Sequence, residues 1–215
     1  MKVRCFPGGP FQENGYLVLS ERGPATVAVD PGGGAGEMVR FLEEEGRALT
    51  AIVLTHAHLD HVDGVPAVRA FAPDAPIHLH PADRLLYDAV PDQARMFGLP
   101  APALPAPDVE IVPGADLALA SDLRFQVRFA PGHAPGHVIL VADAEGWALV
   151  GDVVFQGSIG RTDLPGGDFQ TLMRSIREQV LTLPDEMRLL PGHGPETSVG
   201  RERRTNPFLT GTYAG

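Results

Sequence analysis

Thr55-His56-Ala57-His58-Leu59-Asp60-His61 places three histidines and an aspartate directly after the apolar run Ala51-Ile52-Val53-Leu54. Four strand-forming residues that stop at a cluster of donors suit the holding of metal. Imidazole nitrogen and carboxylate oxygen are ligands for zinc, iron and manganese, whereas closed structural zinc sites favour thiolate. Cys5 is the only cysteine, so a Cys-rich structural zinc site is excluded. The run reads as half of a two-metal site.

Working outward, four more candidates sit where strand-like runs end in glycine-rich turns. They are His133 and His137 in Pro131-Gly132-His133-Ala134-Pro135-Gly136-His137, Asp152 in Val150-Gly151-Asp152, and His193 in Pro191-Gly192-His193-Gly194. Such turns present a side chain at the end of a rigid strand, which holds a ligand more accurately than a long loop does.

The pattern between these motifs predicts strands at 2–6, 16–20 and 25–30, opening antiparallel, and a helix over 35–47 with Met38, Phe41 and Leu42 on one face and Gly46 near its end. Strand 51–54 then delivers the histidines, and Asp60 or Asp63 is placed to cap a helix running to about residue 72. Strand 76–80 carries His78 and His80 on one face, read as solvated for want of a third ligand. The proline-laden segment 91–113 interrupts regular structure, as a surface connection or a lid beside the site. Further strands fall at 108–112, 123–130, 137–142, 147–151 and 187–190, with a helix over 168–181. Strands followed by helices in both halves suggest two packed sheets with helices outside, in one domain over 1–215.

Composition narrows the class. A chain of 215 residues, 44% hydrophobic and 20% charged, is an ordinary globular protein with enough length for a substantial core. A formal charge of −10 opposes nucleic-acid binding through a general basic surface. No apolar stretch reaches the roughly 18 residues needed to span a bilayer, and no signal-peptide hydrophobic region follows the first residues, so a cytoplasmic protein is expected. Cys5 is read as a small buried group of the first strand.

The motifs HxHxDHxxG (His56 to Gly64), PGHAPGH, Gly151-Asp152, Gly160-Arg161-Thr162-Asp163-Leu164-Pro165-Gly166-Gly167-Asp168, Pro191-Gly192-His193-Gly194 and the tail Asn206-Pro207-Phe208-Leu209 together resemble the metallo-β-lactamase superfamily, and within it the compact glyoxalase II-like hydrolases. The resemblance covers nearly the whole chain. It implies an α/β (α+β) fold, a four-layer αββα sandwich with a metal site along one edge. It also implies that His56, His58 and His133 bind a first metal, that Asp60, His61 and His193 bind a second, and that Asp152 bridges them. The cofactors implied are two divalent ions, zinc as first choice with iron or manganese as alternatives. A water bridging two such ions is ionised near neutral pH and becomes the nucleophile. Asp60 is the catalytic candidate, orienting that hydroxide or passing on its proton.

Other residues have blander readings. His137 is taken to stabilise its loop by hydrogen bonds, Asp30 either to hydrogen-bond a ligand histidine or to cap the turn after it, and Arg161 and Asp163 to form an ion pair at the wall of the site. Arg201, Arg203 and Arg204 read as a solvated helix face. The glycines of Pro31-Gly32-Gly33-Gly34-Ala35-Gly36 do not form a phosphate loop, since neither GxGxxG nor GxxxxGK[ST] is present.

The reaction implied is hydrolysis of a small-molecule thioester of the S-2-hydroxyacylglutathione kind, with neither nucleic acid nor membrane as partner. Relatives that recognise glutathione well carry a basic C-terminal helical domain, and only 22 residues follow His193. The alternative is a persulfide dioxygenase with a single iron at the first site, which Gly160-Arg161-Thr162-Asp163 resembles. The Pro-Gly-His-Gly context of His193 looks more like the hydrolases.

Overall fold

Glu13–Leu19, a strand of seven buried residues, runs through the first half of the computed structural model, which describes residues 1–212. The chain divides into two compact units, Met1–Val112 with Asp116–Arg124, and Pro113–Ala115 with Phe125 onward. In the first unit β1 (Lys2–Gly8), β2 (Glu13–Leu19), β3 (Ala25–Val29), β4 (Ala48–Val53), β5 (Ile77–Leu79) and β6 (Val109–Glu110) form one sheet in that order. The first three strands pair antiparallel and the last four parallel. Parallel neighbours need a crossover, which α1 (Ala35–Glu44) supplies between β3 and β4. Between β4 and β5 the crossover is α2 (Leu59–Val62) and α3 (Val65–Phe71). Met38 and Leu42 of α1 are buried, with Phe41 packed beside them, as their spacing on the helix requires. A 3-10 turn at Pro81–Asp83, α4 (Arg84–Asp88), α5 (Val90–Met96) and β7 (Asp116–Ala118) also belong to this unit.

Four expectations are corrected here. The capped helix ending near residue 72 is two short helices whose N-cap positions are His58 and Gly64, and neither Asp60 nor Asp63 makes a capping bond. Pro66 accounts for the break, since it suits the first turn of a new helix and not the interior of a continuing one. Likewise Pro91 lies in the first turn of α5, so helix persists to Met96 before the irregular stretch begins. Cys5 is exposed, because β1 is the outermost strand of its sheet. His78 is buried at the centre of β5, paired in register with Val53 on one side and Val109 on the other.

The second unit contains β8 (Arg124–Phe129), β9 (Val138–Ala142), β10 (Trp147–Gly151), β13 (Arg188–Pro191) and β14 (Thr197–Ser198), ordered β14-β13-β10-β9-β8, and the small hairpin β11 (Val154–Phe155) with β12 (Ser158–Ile159). β8, β9 and β10 are antiparallel, and β13 returns parallel to β10. β8, β10 and β13 therefore end at the same edge of the sheet. Its crossover is α6 (Phe169–Ser175), which continues as a wider turn over Ile176–Val180 and begins with the Asp168 carboxylate accepting the Thr171 N–H at 2.7 Å. Leu172, Met173 and Ile176 face Ile139, Val141 and Leu189 in this unit's core. α7 (Val199–Thr205) and α8 (Pro207–Thr210) follow β14. Arg203 and Arg204 pair with Asp185 on the exposed face of α7, as anticipated. No helix among the described residues is long and apolar enough to cross a membrane.

Both ring nitrogens of His78 are buried and find no hydrogen-bond partner among the described residues. Burial holds its pKa below the ordinary 6.5, more strongly than the nearby Asp108 raises it. The unfolded chain therefore binds the proton more readily, so the titration of this histidine costs nothing well above pH 6.5 and lowers stability as pH falls from there toward its folded pKa. His78→Leu is expected to be at least as stable as the parent at pH 7.5. It should also remove part of the acid destabilisation below pH 6.5, a slope of at most about 1.4 kcal/mol per pH unit. Parallel urea-denaturation slopes for parent and variant between pH 7.5 and 5 would reject this account.

Candidate metal centre

β4 ends at Val53, and Leu54 and Thr55 lead into the turn that carries His56 and His58 and then into α2, which carries Asp60 and His61. All three histidines are buried and Asp60 is half-buried. Asp30 follows the neighbouring strand β3, and its Oδ1 accepts the Thr55 N–H at 2.7 Å while its Oδ2 accepts the Thr55 hydroxyl at 2.6 Å. The same Oδ2 lies 3.1 Å from His61 Nδ1. Asp30 is thus a partner of a candidate ligand histidine, the first of its two sequence readings. It adopts φ 47°, a left-handed conformation that costs an L-residue roughly 1 kcal/mol and that these three bonds hold in place.

The hydrogen bonds decide which ring nitrogen each histidine presents. The carboxylate at His61 Nδ1 can only accept, so Nδ1 carries the proton and Nε2 keeps the lone pair that a metal requires. Thr55 gives its hydroxyl proton to Asp30 and therefore accepts from His56 Nδ1, 3.1 Å away, with the same result. Ligand atoms of Asp30, His56 and His61 all lie within 4.8 Å of one another.

Three residues with no motif to announce them hold the same turn. Asp83 accepts the Ala57 N–H at 2.9 Å. Gln93 of α5 accepts the Leu59 N–H at 2.9 Å and donates to the carbonyls of Ala57 and Leu86 at 3.3 and 2.9 Å. Glu13, wholly buried at the start of β2, brings Oε1 to 3.7 Å from His61 Nδ1. A charged residue opening the apolar run of β2 was the one available signal, and nothing distinguished Asp83 or Gln93 from surface polar residues. Asp63 faces inward as well, and burial, with Asp60 nearby, pushes its carboxyl up to about 6.

In the second unit His133 leaves β8, Asp152 leaves β10 and His193 leaves β13, all at one edge of the sheet. Asp152 Oδ2 lies 3.4 Å from His133 Nε2 and 3.5 Å from His193 Nε2. Both separations are long for strong hydrogen bonds. They match the roughly 3.3 Å between atoms that share a tetrahedral ion at 2.0–2.1 Å. His133 Nδ1 donates to the Arg161 carbonyl at 2.7 Å, which again turns Nε2 toward ligation. His137 does the reverse: its Nε2 accepts the Asp152 N–H at 3.0 Å, so it supports the loop, as anticipated. Arg161 and Asp163 form the expected pair through two bonds of 2.7 Å, which hold the Asp163 carboxyl down at about 2. The pair is exposed, so its contribution to stability is small.

One glycine in each unit backs a candidate aspartate. A Cβ on Gly32 would overlap the Asp60 carbonyl oxygen, and a Cβ on Gly160 would overlap that of Asp152. Neither obstruction is a flexible side-chain end, so both positions exclude any larger residue.

Residues 8–193 match the model of the metallo-β-lactamase superfamily. The chain is 36% identical to the hydroxyacylglutathione hydrolase GloC of Haemophilus influenzae over 97% of this chain and 98% of that one. Among solved structures it is similar to the BLEG-1 B3 metallo-β-lactamase, with a TM-score of 0.90 at 37% identity over 97% of this chain and all of that one. It is also similar to TTHA1623 in a di-iron-bound form, with a TM-score of 0.85 at 42% identity over 94% and 97% of the two chains. The fold is accordingly the metallo-β-lactamase fold, two mixed sheets flanked by helices.

Gly32→Ala is expected to destabilise the metal-free protein by about 3 kcal/mol in urea denaturation, because backbone must move to admit the methyl group. Gly36→Ala, where a Cβ meets nothing within 4 Å at the start of α1, should be neutral or stabilising by up to about 1 kcal/mol. Equal effects at the two positions would refute the close-approach argument.

Proposed function

The chain belongs to the metallo-β-lactamase superfamily, as a metallo-hydrolase with clustered histidine and aspartate donors, and we propose that it is a thioester hydrolase of the hydroxyacylglutathione hydrolase kind. The observation that carries the finer reading is the 36% identity to GloC along nearly the full length of both chains, in a protein whose ligand turn is oriented as described above.

The donor set fits divalent ions on charge grounds. Glu13, Asp30, Asp83 and Asp152 are buried, and among the described residues no lysine or arginine is buried with them. Several carboxylates gathered in a region that water leaves are costly, and resident cations lower that cost. In the proposal His56, His58 and His133 would hold a first ion, Asp60, His61 and His193 would hold a second, and Asp152 would serve both. Bound there, the ions supply Lewis acidity toward a thioester carbonyl and ionise water near neutral pH. The protein's part is orientation: Asp30 and Thr55 fix His56 and His61, the Arg161 carbonyl fixes His133, and His137 fixes the backbone of Asp152. In the same reading the Asp60 carboxylate would hold and pass on a proton during hydrolysis. Zinc is the first choice of metal. Iron and manganese accept the same donors, and the di-iron form of TTHA1623 makes iron the leading alternative.

Metal analysis of anaerobically purified protein, paired with three assays, tests this reading. Two ions per chain and hydrolysis of S-lactoylglutathione that is abolished by chelation are expected. Faster turnover of a β-lactam, the class that the BLEG-1 similarity raises, would displace thioesters as the substrate. One iron per chain, with oxygen uptake on glutathione persulfide and no hydrolysis, would overturn the proposal in favour of a persulfide dioxygenase. Asp60→Asn is expected to retain metal with kcat lower by about 100-fold; full turnover with both ions bound would remove Asp60 from proton transfer.

A further inference from the structure

Glu13 is 0% exposed, and its carboxyl reaches one specific part of the ligand turn. Oε1 lies 3.7 Å from His61 Nδ1, on a ring nitrogen that already faces Asp30 Oδ2 at 3.1 Å. Oε2 occupies the space that a side chain on Gly32 would fill, the same space bounded by the Asp60 carbonyl oxygen. Gly15, two residues along β2, leaves room on another side of the same carboxyl. Glu13 is therefore packed beneath the Asp60-His61 peptide, with a glycine keeping the gap open. Among the candidate ligands of the first unit, the two it adjoins are both assigned to the second ion. His56 and His58 belong to the first.

From this juxtaposition we propose that Glu13 is a positioning residue that sets the affinity of the second metal ion, an inference that rests on the two-ion reading above. A second carboxylate at His61 Nδ1 strengthens the hold on that proton and makes Nε2 a better donor to a cation. Its negative charge, buried 3.7 Å from the ring nitrogen, also favours a cation at His61 directly. Asp30 does two tasks, tying down Thr55 and His61 together, whereas the Glu13 carboxyl is placed against His61 and the Asp60 carbonyl. Loss of Glu13 should consequently spare the first ion.

Glu13→Gln keeps the shape and removes the charge. Metal-free parent and variant are titrated with zinc against a chromophoric chelator, and with cobalt(II) followed by its d–d absorption. The expected result is two equivalents in both proteins, with the second bound about 10- to 100-fold more weakly in the variant and the first unchanged. Glu13→Asp, which retains the charge, should recover part of the loss, and it stands in if the Gln variant does not fold. Equal second-equivalent affinities in parent and Gln variant overturn the proposal, as does an equal weakening of both ions, which marks a general structural role. A parent that takes up only one equivalent removes the two-ion reading itself, and that result is visible before any variant is made.

Discussion

A single carboxylate, that of Asp30, ties the end of β4 to the end of β3 while fixing the proton on His61. The other features of the first unit's ligand turn are arranged around that constraint. Thr55 can orient His56 only because its own proton is already committed to Asp30, so two histidines are set by one acid. Parallel pairing of β3 with β4 brings the two strand ends side by side, with Val29 opposite Val53, which is why a residue after β3 can serve a turn after β4. Ligand sites at the carboxyl ends of parallel strands follow from the same geometry in other open sheets.

The second unit solves the same problem with backbone groups. A carbonyl oxygen fixes His133, and a backbone N–H engages His137. Identical side chains in one glycine-rich loop thus acquire opposite roles, one turned toward ligation and one toward support. The partner of each ring decides, and the loop's composition does not. Asp152 depends on both, through its own N–H to His137 and through its position between His133 and His193.

Much of this was legible beforehand because its causes are local. Strand boundaries, the helix bearing Met38 and Leu42, and the glycine-flanked donors all leave marks in periodicity or turn composition. His78 was misread because alternation on a strand shows which residues share a face and not whether that face is covered. Cys5 was misread for the converse reason, an apolar-looking position on a strand that proved to be an edge. Glu13, Asp83 and Gln93 were missed because their role lies in contacts between residues distant in the chain. Asp83 is 26 residues from Ala57, and Gln93 is 34 from Leu59.

The spacing of the donors also has an entropic side. His56, His58, Asp60 and His61 lie within six residues, so little chain must be closed to gather them once β3 and β4 have paired. His133, Asp152 and His193 hang on three strand ends separated by most of their unit, and β13 is among the last strands in the sequence. Loop closure is therefore the larger burden for the second set, and long-range pairing slows folding. The two donor sets thus make different demands on folding: the first needs only local chain geometry and one strand pair, and the second needs the finished sheet.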